Sequence, residues 1–571
     1  MTAVSPVVLG VCAFTHDSAA ALIADGRLVG FCEEERLSGE KHTSAYPTRA
    51  VSWLLSDAGL TLDEVDVVGY NFQPGKYLAA LAGAPGQLTR PATHRRALPR
   101  AASFLKVAAR TGTRLRQIGH RFPAARVVPV LHHRTHGMCA FASSGYDDAA
   151  ALVVDSLGET QTTTIGHARR TGTSVDYRIV AAIDDPASLG YLYGAVTEHL
   201  GWRRGDEEGT VMALAALGDP ARFRDLFARA VRITDTGFTL NPNLLPLRVL
   251  SRQYPRLSPA FVAATCPARQ PEVPLDPVHA DLAAALQERT EQVMLHLASR
   301  ARRLTASGLL CLAGGVAANC VAVGKIAQAG IFDEVHVPPA PGDSGTAIGA
   351  ALDRYQELTG RLPEDVAGEC YLGPAWHSLP SELRTAAGVQ ARRVVEPARF
   401  LAEQLANGAI VGLFRGRLEA GPRALGNRSI LASPLLPDVV QRLNATVKYR
   451  EPFRPFAPVV LAAHAKDYFT LGQSAPFMSI ASPVTDLTRA KIPAVVHVNG
   501  TARVQTVTPA QNPFLATVLA EFAALTGVPV LINTSLNVKG KPIAGTPTMA
   551  VETLTGSGLD ALLVGDWWVT T

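Results

Sequence analysis

Residues 131–139 read LHHRTHGMC, which puts three histidines into five positions. His132 and His136 are four residues apart, one helical turn, so on a helix both imidazoles face the same way and could bind one cation. His133 points off that face and is the spare. Nineteen residues beyond His136 comes VVDSLGE, where Asp155 ends an apolar run that predicts a buried strand. A carboxylate at a strand end could add a hard oxygen ligand, and Asp343 in PGDSGTAIGAA could add another. Two imidazoles and two carboxylates form a mixed nitrogen and oxygen set. It suits iron, manganese or zinc and not a thiolate zinc site. Taken alone, the HxxxH spacing is weak evidence, because surface imidazoles on a helix are common.

A second group of residues points to anion binding. Arg415, Arg417, Arg423 and Arg428 stand among glycines in FRGRLEAGPRALGNRSIL, VKYREPFRPFAP adds Lys448, Arg450 and Arg454, and HVNGTARVQTV adds His497 and Arg503. An apolar strand then ends in Asn533, Thr534, Ser535 and Asn537. Guanidinium forks grip phosphate or carboxylate through two parallel hydrogen bonds, and a lysine acts as a point charge. Any one of these arginines reads as solvated surface. Together, beside Gly, Pro and aromatic residues, they predict a pocket for a polyanion.

The elements that must hold these groups follow from periodicity. The stretch VVLGVCAFTHDSAAALIADGRLVGFCEEER predicts a strand, a polar turn at Thr15–Ser18, a second strand, a tight turn at Asp25–Gly26 and a third strand. The same plan returns at 149–168, so the domain is expected to be duplicated. Two glycine loops follow, one with Gly314, Gly315 and Asn319 and one with Gly342, Asp343, Gly345 and Gly349. Glycine turns opening into helices favour anions and close ligand approach. Two hairpins and two such loops, in this order, predict nucleotide binding.

Residues 67–146 contain no Asp or Glu but many Arg and Lys, with helical periodicity from about 98 to 118. This basic insertion, about 76–121, reads as a solvated helix or as a lid that favours neutral or anionic ligands. Periodicity lapses near 360–370, where a domain boundary is expected.

Composition excludes several classes. The chain has 571 residues, 47% hydrophobic, enough for two to four domains, and a net charge of +5 that demands neither nucleic acid nor membrane as partner. No apolar run is long enough for a membrane span, and the N-terminus lacks a basic leader. The seven cysteines are scattered and form no CxxC, as expected of reduced thiols in a cytoplasmic protein.

The motifs THDSAAAL, EEERLSGEKH, HHRTH, VVDSLGE, GGVAANC, PGDSGTAIGAA, GPRALGNRSIL, VKYREPFRPFAP, NGTARVQTV and NTSLNVKGKPI occur in this order across nearly the whole chain. Together they resemble the O-carbamoyltransferases of the NodU/CmcH type, which tailor natural products such as tobramycin, ansamitocin and cephamycin. The resemblance implies an α/β fold in two parts. Residues 1–360 would form a duplicated TsaD-like domain of the actin/Hsp70/sugar-kinase ATPase class, and residues 371–571 a YrdC-like α/β domain. The second part would form carbamoyl-adenylate from carbamoyl phosphate and ATP. The first would transfer the carbamoyl group to a hydroxyl of a small molecule and release AMP.

By the same resemblance the metal ligands would be His132, His136, Asp155 and Asp343, with Fe2+ as the ion and Mn2+ or Zn2+ as alternatives. Mg2+ would accompany ATP. The phosphate-bearing ligands would meet Gly314, Gly315, Asn319, Gly342, Arg423, Arg428, Lys448, Arg454, His497, Arg503, Asn533, Ser535 and Asn537. His16 and Asp17 would sit at the acceptor, either one serving as base, with Lys41 near the transferred group. A macrolide, another polyketide or an attached sugar would be the acceptor, and a homodimer the assembly.

The sequence departs from the family's pattern at Thr210 and Ala213, in EGTVMALA, and at Leu536. The first two put a loop contact near the nucleotide in doubt, and the third reads as a core exchange. The rival reading is a tRNA threonylcarbamoyl-type modification protein, against which stands the lack of a dedicated RNA module. A hydrogenase-maturation role would want paired CxxC motifs. A non-catalytic regulator would have no use for the arginine-rich part.

Overall fold

A computed structural model describes residues 5–251, 253–384 and 388–571. Among these residues no helix is long and apolar enough to cross a membrane. The chain forms two compact units.

The first unit comprises Met1–Gly30 and Ser44–Glu369. Its first sheet has five strands, β1 (Val8–Cys12), β2 (Ala19–Ala24), β3 (Arg27–Glu33), β4 (Val67–Tyr70) and β5 (Arg126–Pro129), in the order β3-β2-β1-β4-β5. The β1–β2 pair is antiparallel, whereas β1–β4 and β4–β5 are parallel. Its second sheet uses β6 (Asp148–Val154), β7 (Gln161–Thr171), β8 (Ser174–Asp184), β11 (Leu309–Ala313) and β12 (Glu334–His336). The hairpin β9 (Val231–Thr234) and β10 (Gly237–Leu240) stands apart.

The order β12-β11-β6-β7-β8 repeats the plan of the first sheet, with an antiparallel β6-β7-β8 meander and parallel β6–β11 and β11–β12 pairs. The duplication expected from the two hairpins is therefore present. The turn at Asp25–Gly26 has φ of 51° and 78°, the left-handed pair that a two-residue hairpin turn requires.

The central strands β1, β2 and β6 are buried almost throughout. Two helices carry the layer that matters for function. The His132–Ser144 helix is buried on nearly every face, which marks it as a core helix and not an amphipathic surface one. The Thr346–Thr359 helix crosses it so closely that a Cβ on Gly349 would lie 1.8 Å from the Thr135 carbonyl oxygen. It also lies hard on β1, where a Cβ on Gly10 would lie 1.9 Å from the Ala347 carbonyl oxygen. Glycine at both positions sets the helix spacing, and that spacing places Asp343 at the start of the layer.

The basic segment forms two short helical pieces, Pro74–Leu81 and Ala84–Leu88, and then one long helix, His94–Arg121, that buries Ala97, Arg100, Phe104, Thr111 and Ile118. The Arg100 guanidinium, itself buried, donates to Asp185 at 2.7 and 3.2 Å.

The second unit joins Cys370–Thr571 to the short segment Phe31–Thr43. The linear reading ran the first domain unbroken to residue 360. The structure differs because EEER is buried inside the second unit. Phe31 N–H donates to the Leu372 carbonyl at 3.0 Å, Gly421 N–H donates to Glu33 Oε1 at 2.8 Å, and Arg36 donates to the Gly421 carbonyl at 2.8 Å.

Among the described residues, nine strands of the second unit form one mixed sheet. They are β13 (Gln390–Arg393), β14 (Val411–Phe414), β15 (Arg428–Ala432), β16 (Ala457–Leu461), β17 (Ile480–Pro483), β18 (Thr501–Val507), β19 (Val530–Ser535), β20 (Ala561–Val564) and β21 (Trp567–Thr570). Their order is β13-β21-β20-β14-β15-β19-β16-β18-β17. The Pro397–Ala406 and Pro513–Thr526 helices pack on each other. Leu536 is fully buried, as a core exchange would have it.

Candidate metal centre and anion pocket

In the first unit the fold brings four donors together. His132 and His136 are the first and fifth residues of their helix, Asp155 follows the end of β6, and Asp343 opens the turn before the Thr346–Thr359 helix. The two Nε2 atoms face each other at 3.2 Å. His132 Nε2 lies 3.4 Å from Asp155 Oδ2 and 3.5 Å from Asp343 Oδ1, and His136 Nε2 lies 3.7 Å from Asp343 Oδ1. The donor atoms of all four residues lie within 4.8 Å of one another. Ligands about 2.0–2.2 Å from a single cation stand roughly 3–3.5 Å apart. The quartet therefore fits a divalent ion by donor type, and the separations from His132 match that spacing.

Surrounding groups orient the donors. His132 Nδ1–H donates to the Asn71 carbonyl at 3.3 Å, which leaves Nε2 for the cation. Phe72 stacks flat on the same ring, with centroids 4.4 Å apart and planes 9° apart. Gly315 N–H donates to Asp155 Oδ1 at 3.1 Å. Glu159 Oε1 accepts from the Gln73 N–H at 2.9 Å and the His132 N–H at 3.3 Å, fixing the start of the histidine helix.

The charges follow from this packing. Burial works against a charged His132, but Asp343 and Asp155 outweigh it and raise the imidazole to about 10. Burial likewise opposes ionisation of Asp155, yet the His132 hydrogen bond and the His136 charge hold it well below the usual carboxylate range. His133 behaves oppositely. Burial and its neighbour His132 pull it down to about 3, and its Nδ1 meets Thr164 Oγ1 at 3.2 Å, so it stays neutral and apart from the donors.

His16 Nδ1 lies 2.9 Å from Asp17 Oδ2, and about half of the His16 side chain is exposed. Desolvation would lower its pKa, but the Asp17 hydrogen bond and the charges of Asp343, Asp17 and Asp155 raise it to about 10. A divalent cation on Asp155 and Asp343 would remove their share of that shift and leave the share of Asp17.

Of the glycine-loop residues, Gly314 adopts φ 89°, where a Cβ would lie 2.3 Å from the Val154 carbonyl oxygen. Gly342 is extended beside Asp343, with open space around its Cα. Asn319 is turned inward instead. Its side chain caps the Cys320–Gln328 helix and exchanges hydrogen bonds with Gln287 at 2.9 and 3.1 Å.

In the second unit, positive charge gathers on one face of the sheet. Arg503 and Gln505 are two apart on β18 and share a face, as do Asn533 and Ser535 on β19. Asn533 Nδ2 donates to Gln505 Oε1 at 2.7 Å and to the Ala424 carbonyl at 3.2 Å. Lys448 Nζ donates to Ser535 O and Oγ at 2.6 and 3.2 Å, and to Asn537 O and Oδ1 at 2.9 and 2.7 Å. Burial, then Arg450, Arg454 and Lys41, push the Lys448 ammonium well below the usual lysine range. Burial, Arg454 and Arg503 do the same to Arg450. His497 is drawn down to about 4 by burial and by Arg503.

Arg450, Arg454 and Lys41 thus bear on Lys448, and Arg454 and Arg503 on Arg450, while Glu451 is the acid beside Arg450, Arg454 and Lys539. Arg423 sits partly exposed on the loop whose N–H groups at Leu425, Asn427 and Arg428 converge on Glu419 Oε1 at 2.8–2.9 Å.

Arg428 departs from the expected phosphate contact. It is fully buried over the Phe414 ring and donates to the carbonyls of Arg415, Asn427, Pro374 and Gly416. Its guanidinium holds the loop together from inside, because its strand neighbours are core residues. Three contributors escaped the sequence reading: Asn71, Phe72 and Glu419 carry no signal of their own in the sequence.

Comparison with known proteins agrees in extent with these two parts. Residues 7–352 match the family model described as Carbamoyltransferase N-terminus, and residues 402–571 match Carbamoyltransferase C-terminus. Nodulation protein NolNO of Sinorhizobium fredii is 36% identical, over 97% of this chain and 79% of its own. Nodulation protein U of Rhizobium fredii is 31% identical, over 94% of this chain and 91% of its own. Among solved structures the likeness is remote. Full-length HypF in the phosphate- and nucleotide-bound form has a TM-score of 0.31 at 10% identity, over 62% of this chain and 56% of that one, too low to carry an argument.

Proposed function

From the premise that the chain belongs to the carbamoyltransferase family, we propose that it is an ATP-dependent O-carbamoyltransferase acting on a small natural product. The observation that carries the activation step is the crowd of cations on one sheet face of the second unit. Burial, and then the neighbouring cations Arg454, Lys41 and Arg503, push Lys448 and Arg450 below their usual ranges, so the face gains most when a multiply charged anion neutralises it. Carbamoyl phosphate and ATP are such anions.

In the proposed sequence water first cleaves carbamoyl phosphate to carbamate and phosphate; a carbamate oxygen then attacks the α-phosphorus of ATP, and the bond to pyrophosphate breaks as carbamoyl-adenylate forms. Arg454 and Arg503 stabilise the charge that builds up on the phosphate oxygens. Lys448 positions the Ser535–Asn537 turn, since its ammonium holds four oxygens there. The adenylate then reacts in the first unit. The acceptor oxygen attacks the carbamoyl carbon, the bond to AMP breaks, and the hydroxyl proton passes to the His16–Asp17 pair. Gly314, Gly315 and Gly342 let the nucleotide approach the backbone.

His132, His136, Asp155 and Asp343 would hold a divalent cation, Fe2+ or alternatively Mn2+ or Zn2+, which when bound would act as a Lewis acid toward a phosphate or carbamoyl oxygen. A cytoplasmic setting and a role in antibiotic tailoring belong to the same reading. The direct test supplies ATP and carbamoyl phosphate without acceptor and follows pyrophosphate. Release that requires both substrates supports the proposal. Release from ATP alone, or none even with acceptors present, refutes it.

A further inference from the structure

A cleft of about 370 Å³, lined by Phe14, Gln117, His120 and Arg121, opens on the first unit. It lies where the last turns of the basic His94–Arg121 helix meet the turn between β1 and β2. Two guanidinium groups frame it. Arg114 stands 5.2 Å over the Phe14 ring, and Arg121 stands 4.4 Å over the Tyr46 ring. The two rings lie 6.4 Å apart, centroid to centroid. Phe14 holds φ at 68°, a left-handed conformation that a bulky residue adopts only under constraint. The turn therefore bears strain while presenting an aromatic ring to the cleft, and His16 follows two residues later.

We propose that this cleft binds the acceptor, and that it selects a hydroxylated ligand with a flat apolar ring and an anionic substituent. The inference rests on the carbamoyl-transfer reading. Ring faces beneath guanidinium groups suit a planar apolar body. Arg114, Arg121 and His120 supply positive charge or donors, and no residue from 67 to 146 is acidic, so the helix offers nothing to an ammonium group. The volume lies within the range of small-molecule sites. Ligand seated on Phe14 would direct its free hydroxyl toward His16 and Asp17.

The test uses a matched pair of probes, para-hydroxymethyl benzoate and para-hydroxymethyl benzylamine, with binding to the full chain followed by ligand-observed NMR. The benzoate is expected to bind about fivefold more tightly, the order set by solvent-exposed charge pairs. Arg114→Glu/Arg121→Glu should reverse that preference. These side chains lie toward the surface, and an unchanged melting temperature would show that the variant folds. Phe14→Gly, which suits the left-handed turn, should weaken both probes about threefold or more through the lost ring contact.

Equal binding of the two probes, preference for the amine, or a preference unmoved by charge reversal would overturn the pocket. Pyrophosphate release by the unaltered protein is scored separately. Its absence beside intact probe discrimination sinks carbamoyl activation and leaves the pocket standing. Its presence beside lost discrimination sinks the pocket alone.

Discussion

The buried His–Asp quartet and the cation face pose opposite electrostatic problems. In the first unit two imidazoles and two carboxylates are buried in mutual contact, and each sign is answered by the other. His132 is held protonated and Asp155 ionised by the same attraction. In the second unit cations face cations, and both Lys448 and Arg450 are pushed toward their neutral forms. The difference teaches what each site is missing. The first can exchange a proton for a metal ion without changing its design. The second, on the proposed reading, takes an anion to offset its gathered cations.

The largest expected effect would break the second half of that comparison. Arg503→Ala removes a fork that would grip phosphate and should slow pyrophosphate release by about 10²–10³-fold. Steady-state pyrophosphate assays check this, and a loss under tenfold would mean that the face is only a solvated charge cluster. His136→Ala should separate the two regions. Bound metal, read by atomic emission, and carbamoyl transfer should fall by about 100-fold or more, while pyrophosphate release continues at near its normal rate. Loss of release as well would show that the two sites are not independent.

The proton balance sharpens the contrast by sign. His132 is raised to about 10 from its ordinary 6.5. Its contribution to stability is therefore full below about 6.5 and lost as pH rises through about 10. Asp155 is depressed, so its contribution is full above its ordinary value near 4 and lost in acid as pH falls through its lowered value. Between pH 7 and 9 a divalent cation must displace the His132 proton, so Zn2+ binding should release about one proton. An anion on the second unit stabilises protonated Lys448 and should instead take up protons or exchange none. Calorimetry at pH 8 in Tris and in HEPES reads both numbers. Equal signs for the two ligands would end the comparison.

A smaller effect is stabilisation by anions. Pyrophosphate at about 100 times its dissociation constant should add about 2.7 kcal/mol, seen as a rise in melting temperature of a few degrees. Arg503→Ala should lose most of that rise, and an undiminished rise would place the anion elsewhere.

Much of this site was legible before any fold was known. HxxxH fixes two donors on one helix face because the helix repeats every 3.6 residues, and an acid after an apolar run marks a strand end. Duplication was legible because both hairpins repeat the strand–turn–strand pattern, and the Asp-Gly turn behaved as its backbone preference dictates. Arg428 was misleading because an arginine among glycines looks alike whether it faces ligand or carbonyls. Only the β14–β15 pairing shows that it points into the core over Phe414. Asn319 likewise reads as a loop polar group until its partner Gln287, thirty-two residues earlier in the chain, appears beside it.

The sequence by itself determined the local periodicities, the donor types and the supply of cations, since all of these depend on residue identity and short spacing. Tertiary structure decided which of them meet. Asp343 reaches His132 across more than 200 residues because Gly10 and Gly349 let one helix settle against a strand and another helix. Phe31–Thr43 joins the second unit because the Glu33 and Arg36 side chains find their partners at Gly421, not near themselves in the chain. Such meetings rest on long-range packing and on buried polar groups that must each find a partner, which no local pattern encodes.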